Sequence, residues 1–208
     1  MTSRGVSLAQ RKRQLVADEL TEAALQLLAL KGFDVVTVDE IVATAGVSKR
    51  TFFRYFASKE DVVVQFLADM GTDVRAELAS RPLSEPPSVA LRHAVWVPLA
   101  ACADHADRAL RVVQLILRTP ALHARFLERQ AQWRADLATE LARRLELDGE
   151  AELYPQLAAG TALSAFDAVL QRWSDSDGAE DPAALTDRAF AVIGPALDAV
   201  GRTAPPGR

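Results

Sequence analysis

The stretch TVDEIVATAGVSKRTFFRYFASKEDVV, residues 37–63, decides the fold of this chain. Thr37, Ser48 and Ser58 are residues of the type that caps helix N-termini, because a side-chain oxygen accepts a hydrogen bond from an otherwise free backbone N–H. Gly46 adopts the left-handed conformation of a tight turn without a steric penalty. The spacing therefore predicts a short helix, a glycine turn, a second short helix and the beginning of a long one.

The second of these short helices carries aromatic and basic side chains on different faces. At about 100° per residue, Phe52 and Phe56 lie within about 40° of each other and form a stripe directed into the domain. Phe53 and Tyr55 lie at the two borders of that stripe. The residues on the opposite face are polar or basic: Arg50, Thr51 and Arg54. This division favours a partner that carries phosphates, since both the helix N-terminus and the bases attract anions.

The charge of the chain is distributed unevenly. The 208 residues carry a formal net charge of −4, but residues 1–60 hold nine Lys and Arg against seven Asp and Glu, and all four lysines lie there. A basic N-terminal part is thus joined to an acidic remainder, which is informative about partners. The single cysteine excludes an internal disulfide framework, and no apolar run reaches the roughly 20 residues of a membrane span. We expect a cytoplasmic protein without a membrane partner.

The remaining sequence is predicted to form helices joined by short loops. Apolar residues recur at three- and four-residue spacing, and no convincing strand pattern is present. The predicted helices span about 10–31, 38–45, 49–56, 59–79, 89–103, 106–118, 120–147, 150–173 and 183–200. Pro98 and Pro195 stand inside two of them and predict a kink or a break. The fold class is therefore all-α with about nine helices, in which an N-terminal three-helix helix-turn-helix domain (1–57) precedes a helical ligand-binding and dimerisation bundle (58–208).

Residues 10–66 resemble the DNA-binding domain of TetR-family transcriptional regulators. The resemblance rests on the glycine of KGFD, the capped run TVDEI, the turn AGVS and the aromatic run TFFRYFASKE. It implies an all-α homodimer that binds double-stranded operator DNA, with the second short helix in the major groove. It further implies a one-component repressor that leaves a palindromic operator when its body binds a small-molecule effector.

The resemblance assigns DNA-binding roles to eight residues by position. Thr37 is expected to meet a phosphate at the start of the first short helix. Phe53, Tyr55 and Lys59 are expected to contact the DNA backbone or sugars, although Phe53, often Tyr in the family, keeps only a van der Waals contact. Lys49, Arg50 and Thr51 are expected nearest the base edges, and Ser48, which caps the second short helix, completes the predicted DNA-binding residues. The basic run at 11–13 is either a further DNA contact or a solvated helix start.

The body offers apolar and basic candidates for effector binding. The run RVVQLILRTPALHARFLERQAQWRADLATELARR, residues 111–144, resembles the effector domain of TetR-family regulators found at mycofactocin loci, which implies lipophilic acyl-type effectors, including acyl-coenzyme A. The predicted effector-binding residues are Phe66, Met70, Trp96, Leu115, Arg118, Phe126, Trp133 and Phe166. The alternative for the apolar residues is that they belong to the ordinary hydrophobic core. Four arginines have the alternative of pairing with acids on solvated helix faces: Arg111, Arg118, Arg125 and Arg129.

Apolar stripes on the last two predicted helices suggest a four-helix dimer interface, with packing inside one chain as the alternative. Their members are Leu157, Leu163, Phe166 and Leu170 on one helix, and Leu185, Ala189, Val192, Ile193, Ala196 and Val200 on the other. We therefore expect a homodimer.

Catalytic and metal-binding patterns are weak in this sequence. His93, His105 and His123 match no metal-ligand spacing. Cys102 stands three residues before His105, but no orienting group for thiol catalysis accompanies the pair. We predict no enzyme activity, no metal and no cofactor. The rival functions are a dimeric ligand-binding protein without DNA activity and a small helical enzyme.

Overall fold

The computed structural model describes residues 8–100, 105–147 and 153–199, which contain nine α-helices and no strand. The helices are α1 (Leu8–Lys31), α2 (Val38–Thr44), α3 (Lys49–Tyr55), α4 (Lys59–Ser80), α5 (Pro87–Ala100), α6 (Ala106–Arg118), α7 (Pro120–Arg144), α8 (Leu153–Asp175) and α9 (Pro182–Leu197). The all-α prediction is confirmed. Cys102, which was considered above as a partner of His105, and the predicted helix ends at 103, 150 and 200 lie outside the described residues. Below, α1 to α3 are called the head and α4 to α9 the body.

The three predicted N-caps form as hydrogen bonds and fix the boundaries of the short helices. Thr37 Oγ1 accepts from the backbone N–H of Glu40 at 3.3 Å, and the Glu40 carboxylate accepts from the backbone N–H of Thr37 at 2.9 Å. This reciprocal pair is a capping box. Ser48 and Ser58 each accept the backbone N–H three residues further on, at 3.1 Å. Gly46 has φ of 66° and makes the turn between α2 and α3.

The core of the head holds α3 by its aromatic stripe. Phe52 is fully buried and Phe56 nearly so, with ring centroids 5.7 Å apart. They belong to a core that includes Leu28 of α1 and Ile41 of α2. A helix of seven residues is marginal in isolation, so this packing determines how α3 is presented.

The long helix α4 belongs to both parts of the molecule. It begins beside the head, where it packs against α1, and continues into the body between α5 and α7. Helices α8 and α9 pack against each other and against α5, while α6 lies against α1, α7 and α8. Buried apolar side chains from all of these helices form one continuous core. The head is thus joined to the body through α4 and through the contact between α1 and α6.

Two prolines inside helices do not end them, contrary to the predicted break. Helix α5 continues through Pro98 to Ala100, and α9 continues through Pro195 to Leu197. Pro98 is buried in the core, where packing offsets a missing backbone hydrogen bond. Pro195 lies in the last turn of α9, where little of the helix remains to be disrupted.

Candidate DNA-binding face and effector cavity

Helix α3 presents a basic face to solvent. Lys49 and Arg50 are exposed in its first turn, and Arg54 is exposed in its last. The Nζ atom of Lys49 lies 3.0 Å from Asp39 of α2, but both side chains are more than half exposed. Water and salt weaken such a pair, so Lys49 exchanges its partner at little cost. The face therefore combines mobile cations with the positive end of a helix dipole.

The border residues of α3 differ in how accessible they are. Phe53 is 52% exposed and meets the Phe52 ring edge-on at 5.4 Å. Tyr55 is half-buried, and the Arg54 guanidinium lies 5.2 Å from the centroid of its ring, a cation–π contact. Thr51 Oγ1 lies 2.9 Å from the Ser48 hydroxyl, so the cap and the first turn already share a hydrogen bond.

The ammonium group of Lys59, which was predicted to contact the DNA backbone, is bound to carbonyl groups of the protein itself. It donates to the backbone carbonyls of Phe33 and, at 2.8 Å, of Val36, and it lies 4.7 Å from the centroid of the Phe33 ring. Lys59 therefore ties the start of α4 to the loop that joins α1 to α2. As the first residue of α4 it still contributes a backbone N–H that has no acceptor within the helix.

Glu40 links the capping box to α1. Lys31 Nζ donates to Glu40 Oε1 at 2.7 Å, and this bond, with the hydrogen bonds from Thr37, lowers the pKa of Glu40 from 4.5 to about 2. A carboxyl group whose pKa is depressed in the folded state stabilises that state at a pH above its unfolded pKa. The ionised Glu40 carboxylate therefore contributes to the stability of the head, beside the packing of Ile41 and Val42 in its core.

We expect the contribution of the Glu40 carboxylate to the free energy of unfolding to disappear at low pH. The difference in the free energy of unfolding between the wild type and Glu40→Gln should be complete above pH 4.5 and should shrink as the pH falls towards about 2. Urea denaturation followed by circular dichroism at a series of pH values measures it. A difference that does not change across this range would contradict the assigned role of the carboxylate.

An apolar cavity of about 270 Å³ lies where the head meets the body. Helices α4 to α8 supply most of its walls, and α1 of the head supplies Leu25. The predicted effector-binding residues that line it are Phe66, Met70, Phe126 and Phe166. Its size is close to the lower limit for pockets that enclose small organic ligands.

Three of the apolar residues predicted to bind an effector lie outside this cavity. The residues of α6 that line it follow helical spacing through Ala109, Val112 and Ile116, and Leu115 is buried on the adjoining face. Trp133 is buried against Gly71 of α4. Trp96 of α5 is partly buried against the core and does not reach the cavity. These three residues pack in the core and do not line the cavity themselves.

None of the four arginines considered as head-group ligands lines the cavity, and two of them are bonded to other residues. Arg118, the predicted one, donates to the carbonyl of Ser174 at 3.2 Å and lies 3.7 Å from Asp177, so it joins α6 to the end of α8. Arg125 donates to Glu60 of α4 at 3.1 Å. Arg118 and Arg125 therefore take the alternative of pairing on solvated helix faces. Arg111 is exposed and does not line the cavity, and neither does Arg129.

The polar end of the cavity is formed by His105 and Arg108, which the sequence reasoning did not select. Arg108 Nη1 donates to Glu22 Oε1 of α1 at 2.9 Å, and Nη2 donates to the Glu22 carbonyl at 3.3 Å. The sequence does indicate this position of Arg108, because Arg108 precedes Val112 by four residues and so lies on the same face of α6. No sequence pattern indicates that Leu25 lines the cavity, because α1 belongs to the head.

The predicted dimerisation stripes are divided between the inside and the outside of the chain. Leu163, Phe166, Leu170 and Leu185 are buried within the chain. Leu157 of α8 and Val192 of α9 are 57% and 80% exposed. The other exposed residues of the two helices include small ones, Ser164, Ala168, Ala184, Ala191 and Ala196, and charged ones, Arg172, Asp175, Asp187 and Arg188.

Metal and membrane sites receive no support in the part of the chain that the structure describes. No three His, Cys, Asp or Glu side chains there form a group able to hold a metal ion. No helix in the same residues is both long and apolar enough to cross a bilayer.

A capped helix-turn-helix head on a helical body is the architecture of a DNA-binding transcriptional regulator. The family model of the bacterial regulatory proteins of the tetR family matches residues 20–66, and the model of the MftR C-terminal domain matches residues 85–198. The chain belongs to the TetR family and carries an MftR-type C-terminal domain.

Curated relatives agree with this assignment over most of their length. The chain is 32% identical to the HTH-type transcriptional regulator TcmR of Streptomyces glaucescens over 178 residues, which are 83% of this chain and 79% of TcmR. It is 31% identical over 192 residues to a Mycobacterium tuberculosis protein described as the mycofactocin biosynthesis regulator MftR, across 90% of this chain and 94% of that protein. These relatives are transcriptional regulators, and the chain is a regulator and not an enzyme.

Solved structures share the fold at lower identity. The fatty acid degradation regulator FadR from Bacillus halodurans aligns with a TM-score of 0.64 and 22% identity, over 89% of this chain and 96% of its own. FadR from Bacillus subtilis, solved in complex with stearoyl-CoA, aligns with a TM-score of 0.64 and 21% identity, over 88% and 97%. At this identity the likeness establishes the fold of both head and body.

Proposed function

We propose that this regulator is a repressor that binds a palindromic operator as a homodimer in the cytoplasm and is released by a lipophilic effector. The observation that carries the proposal is the presentation of α3. Phe52 and Phe56 anchor the helix in the head, while Lys49 and Arg50 extend from its first turn into solvent. A helix held in this way fits the major groove with its N-terminal residues at the base edges.

We assign each DNA contact according to the group of the residue that is accessible to the DNA. Lys49, Arg50 and Thr51 lie nearest the bases, and Arg50 suits bidentate contact with guanine. Phe53, being half exposed, meets a sugar or a thymine methyl group. The remaining contacts reach phosphates or the backbone near helix starts: Thr37, Ser48, Tyr55 and the backbone N–H of Lys59. The DNA-binding domain ends at about residue 57, where α4 begins.

The outward faces of α8 and α9 are the proposed dimer interface. Leu157 and Val192 are large apolar residues left exposed on two helices whose other exposed residues include several small ones. Small residues let helices approach closely, and two helices from each chain bury the exposed leucine and valine in a four-helix arrangement. Such a dimer places two heads on one face of the DNA, as a palindrome requires.

The apolar cavity is the proposed effector site. Four aromatic or apolar residues predicted for this role line it, and its walls come from both head and body. The B. subtilis FadR structure contains stearoyl-CoA, which supports an acyl compound as the class of effector without identifying it. An acyl chain fits a cavity of about 270 Å³ with its head group at the polar end.

We expect Arg50→Ala to weaken operator binding by at least about tenfold and to relax the sequence preference. Genomic fragments selected with the wild-type protein provide the DNA, and fluorescence anisotropy at several salt concentrations gives the affinity. Arg75→Ala, at an exposed position of α4 in the body, is the matched control and should bind as the wild type does. The wild-type affinity should fall steeply with salt because phosphate contacts release counterions. If Arg50→Ala and the wild type bind the operator with equal affinity, α3 is not part of the DNA-binding face.

A further inference from the structure

The cavity between head and body has one wall that belongs to the DNA-binding domain. Leu25 of α1 lines it, together with Phe66 and Met70 of α4. Leu25 is itself buried, so anything that fills the cavity touches α1 directly. An occupant thus acts on the head through α1 as well as through α4.

The same helix is fastened to the body at the polar end of the cavity. Arg108 of α6 lines the cavity and binds Glu22 of α1, which lies one turn before Leu25. The Arg108 side chain is 34% exposed and that of Glu22 is 66% exposed. The ion pair is therefore reachable by both solvent and ligand, and it lies at the contact between α1 and α6 that joins head to body.

We propose that the effector is an amphiphile with an anionic head group, carboxylate or phosphate, that takes Arg108 from Glu22 and thereby releases α1 from α6. The proposal rests on the assignment of the cavity as the effector site of a DNA-binding regulator. It specifies that the ligand is anionic, and it names the Arg108–Glu22 pair as the contact through which ligand binding affects the head.

The geometry of Arg108 favours an anionic competitor. The guanidinium gives Glu22 a single contact to one carboxylate oxygen, while its second NH₂ group binds a backbone carbonyl at 3.3 Å. A guanidinium forms its strongest bonds in a bidentate arrangement with a carboxylate or a phosphate. A head group at the end of a chain already bound in the cavity is positioned to make that arrangement. Glu22, being largely exposed, returns to water when it is released.

The competition between ligand and Glu22 supplies the coupling that regulation needs. A ligand shifts a conformational equilibrium only by as much as its affinity differs between the two states. An anion held bidentately by Nη1 and Nη2 of Arg108 takes the place of both bonds to Glu22, so the two bound states exclude each other. A neutral amphiphile of the same length fills the cavity but leaves the bond in place.

The test compares three ligands with the same alkyl chain: decanoate, decyl phosphate and decanol. Their binding to the full-length protein is measured by calorimetry, and their effect on operator affinity is measured by anisotropy. Arg108→Met and Glu22→Gln remove the two partners of the bond. Arg92→Met is the matched control, because Arg92 pairs with Asp187 between α5 and α9 at similar exposure, 29% and 61%, away from the cavity.

For the wild type and for Arg92→Met, we expect at least one of the anions to bind more tightly than decanol and to weaken operator binding by about fivefold or more, a typical allosteric coupling. Arg108→Met should bind the anion and decanol about equally and should lose the effect on DNA. Glu22→Gln should bind the anion more tightly than the wild type, since the competitor is gone, and should also lose the effect on DNA. The phosphate and carboxylate arms identify which head group is preferred.

Two results would overturn the proposal while leaving the regulator assignment intact. One is an operator-binding wild type on which decanol acts as strongly as the anions. The other is an Arg108→Met protein whose operator affinity still responds to the anion as in the wild type, which would assign the coupling to α4 alone. Absence of operator binding by the wild type would instead refute the proposed function itself. Glu22→Gln alters one exposed carboxylate, so the test does not depend on how Arg108→Met folds.

Discussion

Replacing Arg144 by methionine will lower the free energy of unfolding by about 3 kcal/mol, because three backbone carbonyls lose a charged donor. The buried guanidinium of Arg144 donates to the carbonyls of Leu78, Arg81 and Pro82 at 3.0, 2.7 and 2.8 Å. These carbonyls lie at the C-terminal end of α4, where helix geometry leaves them without intrahelical donors. Methionine keeps most of the side-chain volume but donates nothing.

An exposed arginine on the same helix provides the control for this prediction. Arg134 of α7 is exposed to solvent. Arg134→Met should therefore change the free energy of unfolding by about 0.5 kcal/mol or less. Urea denaturation of both variants at one fixed protein concentration gives the comparison, since the stability of a dimer depends on concentration. Equal losses for the two variants would show that Arg144 does not secure the end of α4.

Features that depend on a few consecutive residues could be predicted from the sequence. The caps at Thr37, Ser48 and Ser58 are local, because each needs only a backbone N–H three residues away. The burial of Phe52 and Phe56 follows from helical periodicity, which the chain itself fixes. For the same reason the bounds of α3 are predicted to within one residue.

Features that depend on contacts between distant helices could not be predicted in this way. Lys59 has the position of a phosphate contact in the sequence, yet its ammonium group binds carbonyls more than 20 residues earlier. Arg108 shares a face of α6 with Val112, which the sequence indicates, but its bond to Glu22 and the bond of Arg118 to Ser174 depend on how α1 and α8 pack against α6. Periodicity gives the face of a helix, but the identity of the neighbour across that face is a property of the whole fold.

The body holds α4 firmly along its length, which limits how that helix can transmit a signal. Arg144 secures its C-terminal end, and Trp133 of α7 packs directly against its middle at Gly71. Near the head, Glu60 in its first turn is bonded to Arg125 of α7. A sliding motion of α4 would have to break several of these contacts together. Breaking the Arg108–Glu22 bond removes one solvent-accessible ion pair from the contact in which α1 packs against α6, and it leaves the bonds that hold α4 in place. In our proposal this is the less costly way to change the orientation of the head.

The close approach of α4 and α7 predicts that Gly71→Ala destabilises the protein by about 2 kcal/mol, although alanine is the better helix former. A Cβ atom at position 71 would lie 2.1 Å from Nε1 and 2.3 Å from Cδ1 of Trp133. The indole cannot withdraw easily, because its ring lies 6.1 Å from that of Phe126 and 6.5 Å from that of Phe166, centroid to centroid. The gain in helix propensity, about 1 kcal/mol, is smaller than the expected cost of overpacking.

A double-mutant cycle separates this clash from any other effect of the alanine. Trp133→Leu removes the indole and leaves space beside position 71, so Gly71→Ala should cost little or should stabilise the protein in that background. Thermal and urea denaturation of the four proteins give the coupling energy, and we expect it to account for most of the loss caused by Gly71→Ala alone. An equal loss in both backgrounds would mean that Trp133 is not what requires a glycine in α4. Because the indole also lies beside Phe126 and Phe166 of the cavity wall, a clash that displaces it should change the affinity for decanoate as well.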